Sequence, residues 1–166
     1  NVNDNSPTFS SNATFSAAEN QTAIGTVVAS DADGDGIAYS ISGSDITINA
    51  SSGVIAFVSA PDYETKTSYT ATVTASDGTN SATQDITVNI TNVNEAPVFT
   101  SNATFSADEN QTAIGTVTAS DADGDDITFT VSGSDLEITS AGVLTFASAP
   151  DYETKTSYTA TVTASD

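Results

Sequence analysis

One stretch of sequence is present twice, and this constrains the chain more than any other feature. Residues Pro7 to Gly36 return, with few changes, as Pro97 to Asp126. Glu19-Asn20 returns as Glu109-Asn110, Asp31-Ala32-Asp33 as Asp121-Ala122-Asp123, and Asp62-Tyr63-Glu64 as Asp151-Tyr152-Glu153. A repeat of this kind predicts an array of like modules. The 166 residues divide into units of about ninety, near the low end of ordinary domain size. The predicted boundaries are 1–93, with 1–6 as an entry linker, and 94–166.

Charge narrows the function. Twenty-two acids face two bases, Lys66 and Lys155, with no His, for a formal net charge of −20. Nucleic-acid binders need a basic footprint, which is missing here. An anionic membrane surface would repel the chain, and no apolar run reaches spanning length. High charge favours disorder when apolar residues are few. Here 37% of residues are hydrophobic and they are strongly patterned, so a folded protein is expected. Its clustered carboxylates need a neutralising partner, and a divalent cation is the simplest candidate. Cysteine is absent, which excludes disulfides and thiolate metal sites. The abrupt start at Asn1, in linker-like sequence, predicts a piece of a longer array.

The apolar period is two almost throughout, which predicts strands. Tyr69, Ala71, Val73 and Ala75 alternate with threonines, as do Ile86, Val88 and Ile90 with Thr87 and Asn89. Differences between the copies mark the inner face. Val28 becomes Thr118 while Val27 stays Val117, so position 27 points inward. Tyr39 and Ile41 become Phe129 and Val131, while Ala38 and Ser40 drift to threonine. Half-buried antiparallel strands behave this way. Strands are expected near 14–17, 23–30, 37–42, 45–49, 53–59, 67–76 and 83–92. Seven short strands separated by Gly, Pro and Asp turns predict an all-β fold of two tandem seven-strand Greek-key β-sandwiches, immunoglobulin-like in architecture. The second copy stops at Asp166, the counterpart of Asp77, and so lacks its last strand in this sequence.

The acids follow a fixed order. Asn1-Val2-Asn3-Asp4-Asn5-Ser6-Pro7-Thr8-Phe9 is followed by Ala18-Glu19-Asn20, Asp31-Ala32-Asp33, Asp62-Tyr63-Glu64 and Ala75-Ser76-Asp77. In this order and spacing the chain resembles tandem cadherin repeats, in the form found in large bacterial surface or secreted proteins. The resemblance covers the whole sequence. It implies calcium held between successive repeats. At the junction it implies Glu19, Asp62 and Glu64 from the first copy, Asn92, Asn94 and Glu95 from the connection, and Asp121, Asp123 and Asp166 from the second copy. It implies half-sites at the ends: Asn3, Asp4, Asp31, Asp33 and Asp77, and Glu109, Asp151 and Glu153. The chemistry agrees, since Ca²⁺ takes six to eight oxygens and tolerates irregular geometry. The connection 92–97 is one residue shorter than 1–7 and has no counterpart of Asn5. The resemblance implies about three Ca²⁺ ions at the junction, and the shorter connection makes two to three the expectation.

The resemblance further implies an extracellular or cell-surface location, neighbouring repeats of the same protein as partners, and a calcium-rigidified spacer or adhesion element as function. The alternative is a carbohydrate-binding module, whose partner would be a polysaccharide, with Tyr63 and Tyr152 as candidate ring platforms. The outward threonines 70, 72, 74, 159, 161 and 163 would suit an ice-binding face, but threonine is simply a good solvent-face strand residue. Residues 31–36 fit the first half of an EF-hand loop, but its twelfth position is Ser42 rather than Glu, and no helical period flanks it. An enzyme is not expected: without His or Cys a Ser nucleophile has no ordinary base.

Overall fold

The structure, a computed structural model, describes residues 2–166. It is all-β and divides into two compact units, one ending at Val93 and the other spanning Asn94–Asp166.

In the first unit the strands are β1 (Thr8–Phe9), β2 (Thr14–Ala18), β3 (Ala23–Thr26), β4 (Ala29–Ser30), β5 (Ala38–Ile41), β6 (Ile46–Ile48), β7 (Val54–Phe57), β8 (Ser68–Ser76) and β9 (Ser81–Thr91). One sheet has the order β2-β9-β8-β5 and a second the order β3-β7-β6, with β1 pairing on β4. The alternation seen in the sequence is the alternation of the core. Val27, Ile55, Val73, Ile86 and Val88 are fully buried, with Tyr39, Phe57 and Ile90 beside them. Burial of each such side chain contributes about 1.5–3 kcal/mol. Val28 points outward, 47% exposed.

Three details differ from the sequence expectation. The stretch 23–30 is two strands, because Val27 makes a last in-register bond to the Gly53 carbonyl (2.9 Å) and Val28 then turns away, donating its N–H to Ser11 Oγ (3.1 Å) and accepting the Ser10 N–H (2.9 Å). Gly53 has φ +69°, and a Cβ there would lie 2.2 Å from the Val27 carbonyl oxygen, so the close approach requires glycine. β1 was not foreseen. Finally, β2 pairs with β9 in parallel, Phe15 against Val88 and Ala17 against Ile90, whereas the other ladders are antiparallel. The nine segments make seven strands once β1–β2 and β3–β4 are each read as one strand that breaks.

The second unit repeats the plan with β10 (Val98–Phe99), β11 (Ala113–Thr116), β12 (Ala119–Ser120), β13 (Thr128–Val131), β14 (Leu136–Ile138), β15 (Val143–Phe146) and β16 (Val162–Ser165). Its sheets are β11-β15-β14, β13-β16 and β10-β12. Residues 104–108 are nearly identical to β2, yet form no strand. In the first unit β2 has its ladder with β9, and the sequence holds no counterpart of β9. For the same reason β16 keeps only the four residues that pair with β13, while the identical β8 runs to nine.

Candidate metal centres

Each unit carries acid clusters at its two ends, built by turns and by carboxylates that organise backbone N–H groups.

Glu19 lies at the end of β2 where β9 leaves the first unit. It is 3% exposed, and its two carboxylate oxygens accept the N–H groups of Tyr63 and Val93, each at 2.8 Å. One side chain thus ties β2 to the 61–65 turn and to the end of the unit. Asn20 follows at φ +60° and donates its N–H to the Pro61 carbonyl. Asp62 caps its own turn by accepting the N–H and hydroxyl of Thr65. Glu19, Asp62 and Glu64 each place a carboxylate oxygen within 4.8 Å of the others. Asn92, one residue beyond β9, is exposed.

At the opposite end of this unit, Asp33 gathers the entry linker. Its Oδ2 accepts the N–H groups of Asp4 (3.2 Å) and Asn5 (3.0 Å) and the Asn5 side-chain amide (3.0 Å). These bonds, the Asn5 side chain first, hold its carboxyl below the usual Asp range. Asp77 accepts the N–H groups of Asn80 (2.6 Å) and Thr79 (2.7 Å), and is likewise lowered, the Asn80 bond being the largest cause. Asn80, which the sequence reading passed over, donates to the Asn3 side chain and the Asn5 carbonyl. Asp35, readable as a mere turn former, joins Asp31 and Asp33 within 4.8 Å.

The second unit reproduces this arrangement at its start. Glu95 donates its N–H to Asp123 (2.8 Å), and the Asn94 amide donates to Asp166 (2.5 Å). Asp121, Asp123 and Asp125 converge within 4.8 Å. The connection has no counterpart of Asn5 in sequence. At its other end Glu109, Asp151 and Glu153 form an exposed cluster within the same 4.8 Å. Glu109 accepts the Tyr152 N–H, but nothing in the sequence corresponds to the Val93 donor that completes Glu19. Asp151 is held below the usual range, chiefly by the Thr154 hydroxyl.

These residues fit a hard divalent cation. Asp31 Oδ2, Asp77 Oδ2 and Asp121 Oδ2 are buried oxygens without a hydrogen-bond donor, which is costly for a carboxylate unless something positive meets it. The protein's own cations are engaged elsewhere. Lys66 pairs with Asp45 (3.1 Å) over the Tyr69 ring, and Lys155 with Asp135 (2.7 Å) over Tyr158. The donor set is all oxygen, as Ca²⁺ prefers.

The cadherin domain family model matches residues 13–91, and a bacterial Ig domain model matches 94–166. The mouse cadherin EGF LAG seven-pass G-type receptor 2 is 33% identical over 187 aligned positions, covering 99% of this chain and 6% of the receptor. Chitinase A of Pseudoalteromonas piscicida is 36% identical over 99 positions, covering 58% of this chain and 12% of the chitinase. The chain thus spans a small part of these relatives. The solved structure of human protocadherin-24 EC1-2 matches with a TM-score of 0.65 at 21% identity, over 99% of this chain and 94% of that one, which establishes the shared fold. The chain therefore belongs among the cadherin-like tandem-repeat proteins, with a cadherin domain at residues 13–91.

Proposed function

We propose that this chain is a calcium-stiffened spacer of an extracellular or cell-surface protein, its two repeats joined by shared Ca²⁺. Cadherin domains are calcium-binding adhesion modules, and the acid sets described above supply suitable ligands. Glu19, Asp62, Glu64 and Asn92 would contribute from the first repeat, and Asn94, Glu95, Asp121, Asp123 and Asp166 from the second. Two or three ions would be held. The half-sites around Asn3, Asp4, Asp31, Asp33 and Asp77, and around Glu109, Asp151 and Glu153, would serve the neighbouring repeats of a longer array.

The observation that carries this reading is the set of buried, donorless carboxylate oxygens at the linker-facing turns. Two carboxylates about 4 Å apart repel by about 4 kcal/mol at an effective dielectric near 20, and less where water reaches them. Bound calcium reverses the sign of each such contact. The chain's part is to hold the carboxylates in place before the ion arrives, through the N–H groups that Glu19, Asp33, Asp77 and Asp123 accept. Extracellular calcium modules bind with dissociation constants of about 10⁻⁴–10⁻³ M, matched to a millimolar surrounding.

Calorimetric titration tests this directly. Calcium should bind in the sub-millimolar to millimolar range, and Asp123→Asn should weaken binding at least about tenfold. Unchanged heats in that variant would rule the assignment out. A second reading, polysaccharide binding, is favoured by the match to a chitinase and by the 62% exposure of Tyr152. Co-sedimentation with insoluble chitin, and its loss in Tyr152→Ala, would support that alternative.

A further inference from the structure

The sequence holds four Asp-Gly pairs: Asp33-Gly34, Asp35-Gly36, Asp77-Gly78 and Asp123-Gly124. Such a pair carries a chemistry of its own. The glycine nitrogen can attack the aspartate Cγ, because no Cβ on the glycine hinders the approach. The fold decides which pair is free to react. A glycine N–H donated elsewhere, or a carboxylate held by other donors, must first give up those bonds.

Three of the pairs are held. Asp33 accepts from Asp4 and Asn5, and Gly34 donates its N–H to the Asp31 carbonyl (3.3 Å). Asp77 accepts from Thr79 and Asn80, and Gly78 donates to the Ser76 hydroxyl (3.1 Å). Asp123 accepts the Glu95 N–H (2.8 Å). The fourth pair differs. Among the described residues, neither the Asp35 carboxylate nor the Gly36 N–H has a hydrogen-bond partner. Residues 34–37 form neither strand nor turn. Gly36 stands in open space, where an added Cβ would meet nothing within 4 Å. The second unit has no equivalent, because Asp126 replaces the glycine and the Asp125 N–H is donated to Asp121 (3.3 Å).

We propose that Asp35 is a site of spontaneous isoaspartate formation, selected by the fold from the four pairs. The Gly36 nitrogen bonds to Asp35 Cγ, and its proton leaves with one carboxyl oxygen as water. The product is a five-membered succinimide. Water then adds back. Cleavage of the Cγ–N bond returns aspartate, and cleavage of the original peptide C–N bond gives isoaspartate. One water is lost and one regained, so neither oxidant nor co-reactant is needed. In isoaspartate the main chain runs through Cβ and gains a methylene, while the carboxylate hangs directly from Cα. Residue 35 then loses the geometry that puts its oxygen within 4.8 Å of those of Asp31 and Asp33. The new carboxylate is a substrate for an S-adenosylmethionine-dependent isoaspartyl methyltransferase.

The test ages the chain in warm neutral buffer made with heavy-oxygen water, in chelator so that the outcome does not depend on calcium. Ring opening leaves one heavy oxygen at each residue that has reacted, and electron-transfer fragmentation reads residues 33 and 35 separately. In the folded chain residue 35 should take up label at least about tenfold faster than 33, 77 or 123. In guanidinium chloride the four pairs should label at comparable rates, since only the fold distinguishes them. Gly36→Val should slow labelling at 35 by about tenfold or more, and Asp35→Glu, which would need a larger ring, should abolish it. The aged chain should accept methyl groups from the isoaspartyl methyltransferase, and fresh chain almost none. Absence of label at 35 in the folded chain would overturn the proposal. So would equal labelling of the four pairs there, undiminished labelling in Gly36→Val, or label at 35 without methyl acceptance.

Discussion

Glu19 and Glu109 occupy the same position in the repeat but different surroundings. Glu19 is buried and accepts two backbone N–H groups, whereas Glu109 is exposed and accepts one. In calcium-free buffer Glu19→Gln should cost about 1–3 kcal/mol in denaturant unfolding, because an amide nitrogen replaces an acceptor facing a buried donor. Glu109→Gln should change stability by less than about 0.5 kcal/mol. Equal effects would contradict the role given to the Val93 bond. Acidification probes the entry linker in the same spirit. Asp33 and Asp77 are lowered from an ordinary value of 3.8 by bonds from Asn5 and Asn80. Their contribution is therefore fully present above that value and lost as pH falls through the lower folded-state one. Exchange of the Asn5 amide, corrected for its intrinsic rate, should hold steady from pH 7 to 5 and accelerate only below about pH 3.8. The ordered acid motifs made most of these residues legible in the sequence. Asn80 was not, since a single Asn in a turn carries no sign of which distant carbonyl it will meet.

At the scale of elements, the sequence reveals faces but not partners. Val27 inward and Val28 outward follow from comparing the copies, because alternation survives substitution on the buried side. The parallel β2–β9 ladder could not be read, since a period of two is the same in either direction. The break at 27–28 was equally hidden, because it depends on the bonds Val28 makes to Ser10 and Ser11, many residues earlier in the chain. Gly53→Ala should destabilise the first unit by at least about 2 kcal/mol, combining a left-handed backbone with a backbone clash. Gly78, at φ +94° with open space around it, should cost only about 1 kcal/mol as Ala. Thermal unfolding of the two variants would show whether the close approach, rather than backbone conformation alone, sets the cost. The contrast between β2 and residues 104–108 makes the same point from the other direction: near-identical sequence becomes a strand only where a neighbour supplies the ladder.

For the whole molecule the governing quantity is charge. A net charge of −20 without Arg or His leaves the clustered acids with no internal counter-ion beyond two engaged lysines. The duplication made this legible, because it showed the acids at the same structural positions twice. Which ion meets those acids is not legible in the sequence, because a carboxylate cluster specifies charge and oxygen donors but not its occupant. The most direct measurement is small-angle X-ray scattering of the chain in millimolar calcium and in chelator. The account predicts a longer maximum dimension and a narrower distance distribution with calcium. Superimposable profiles in the two buffers would contradict it.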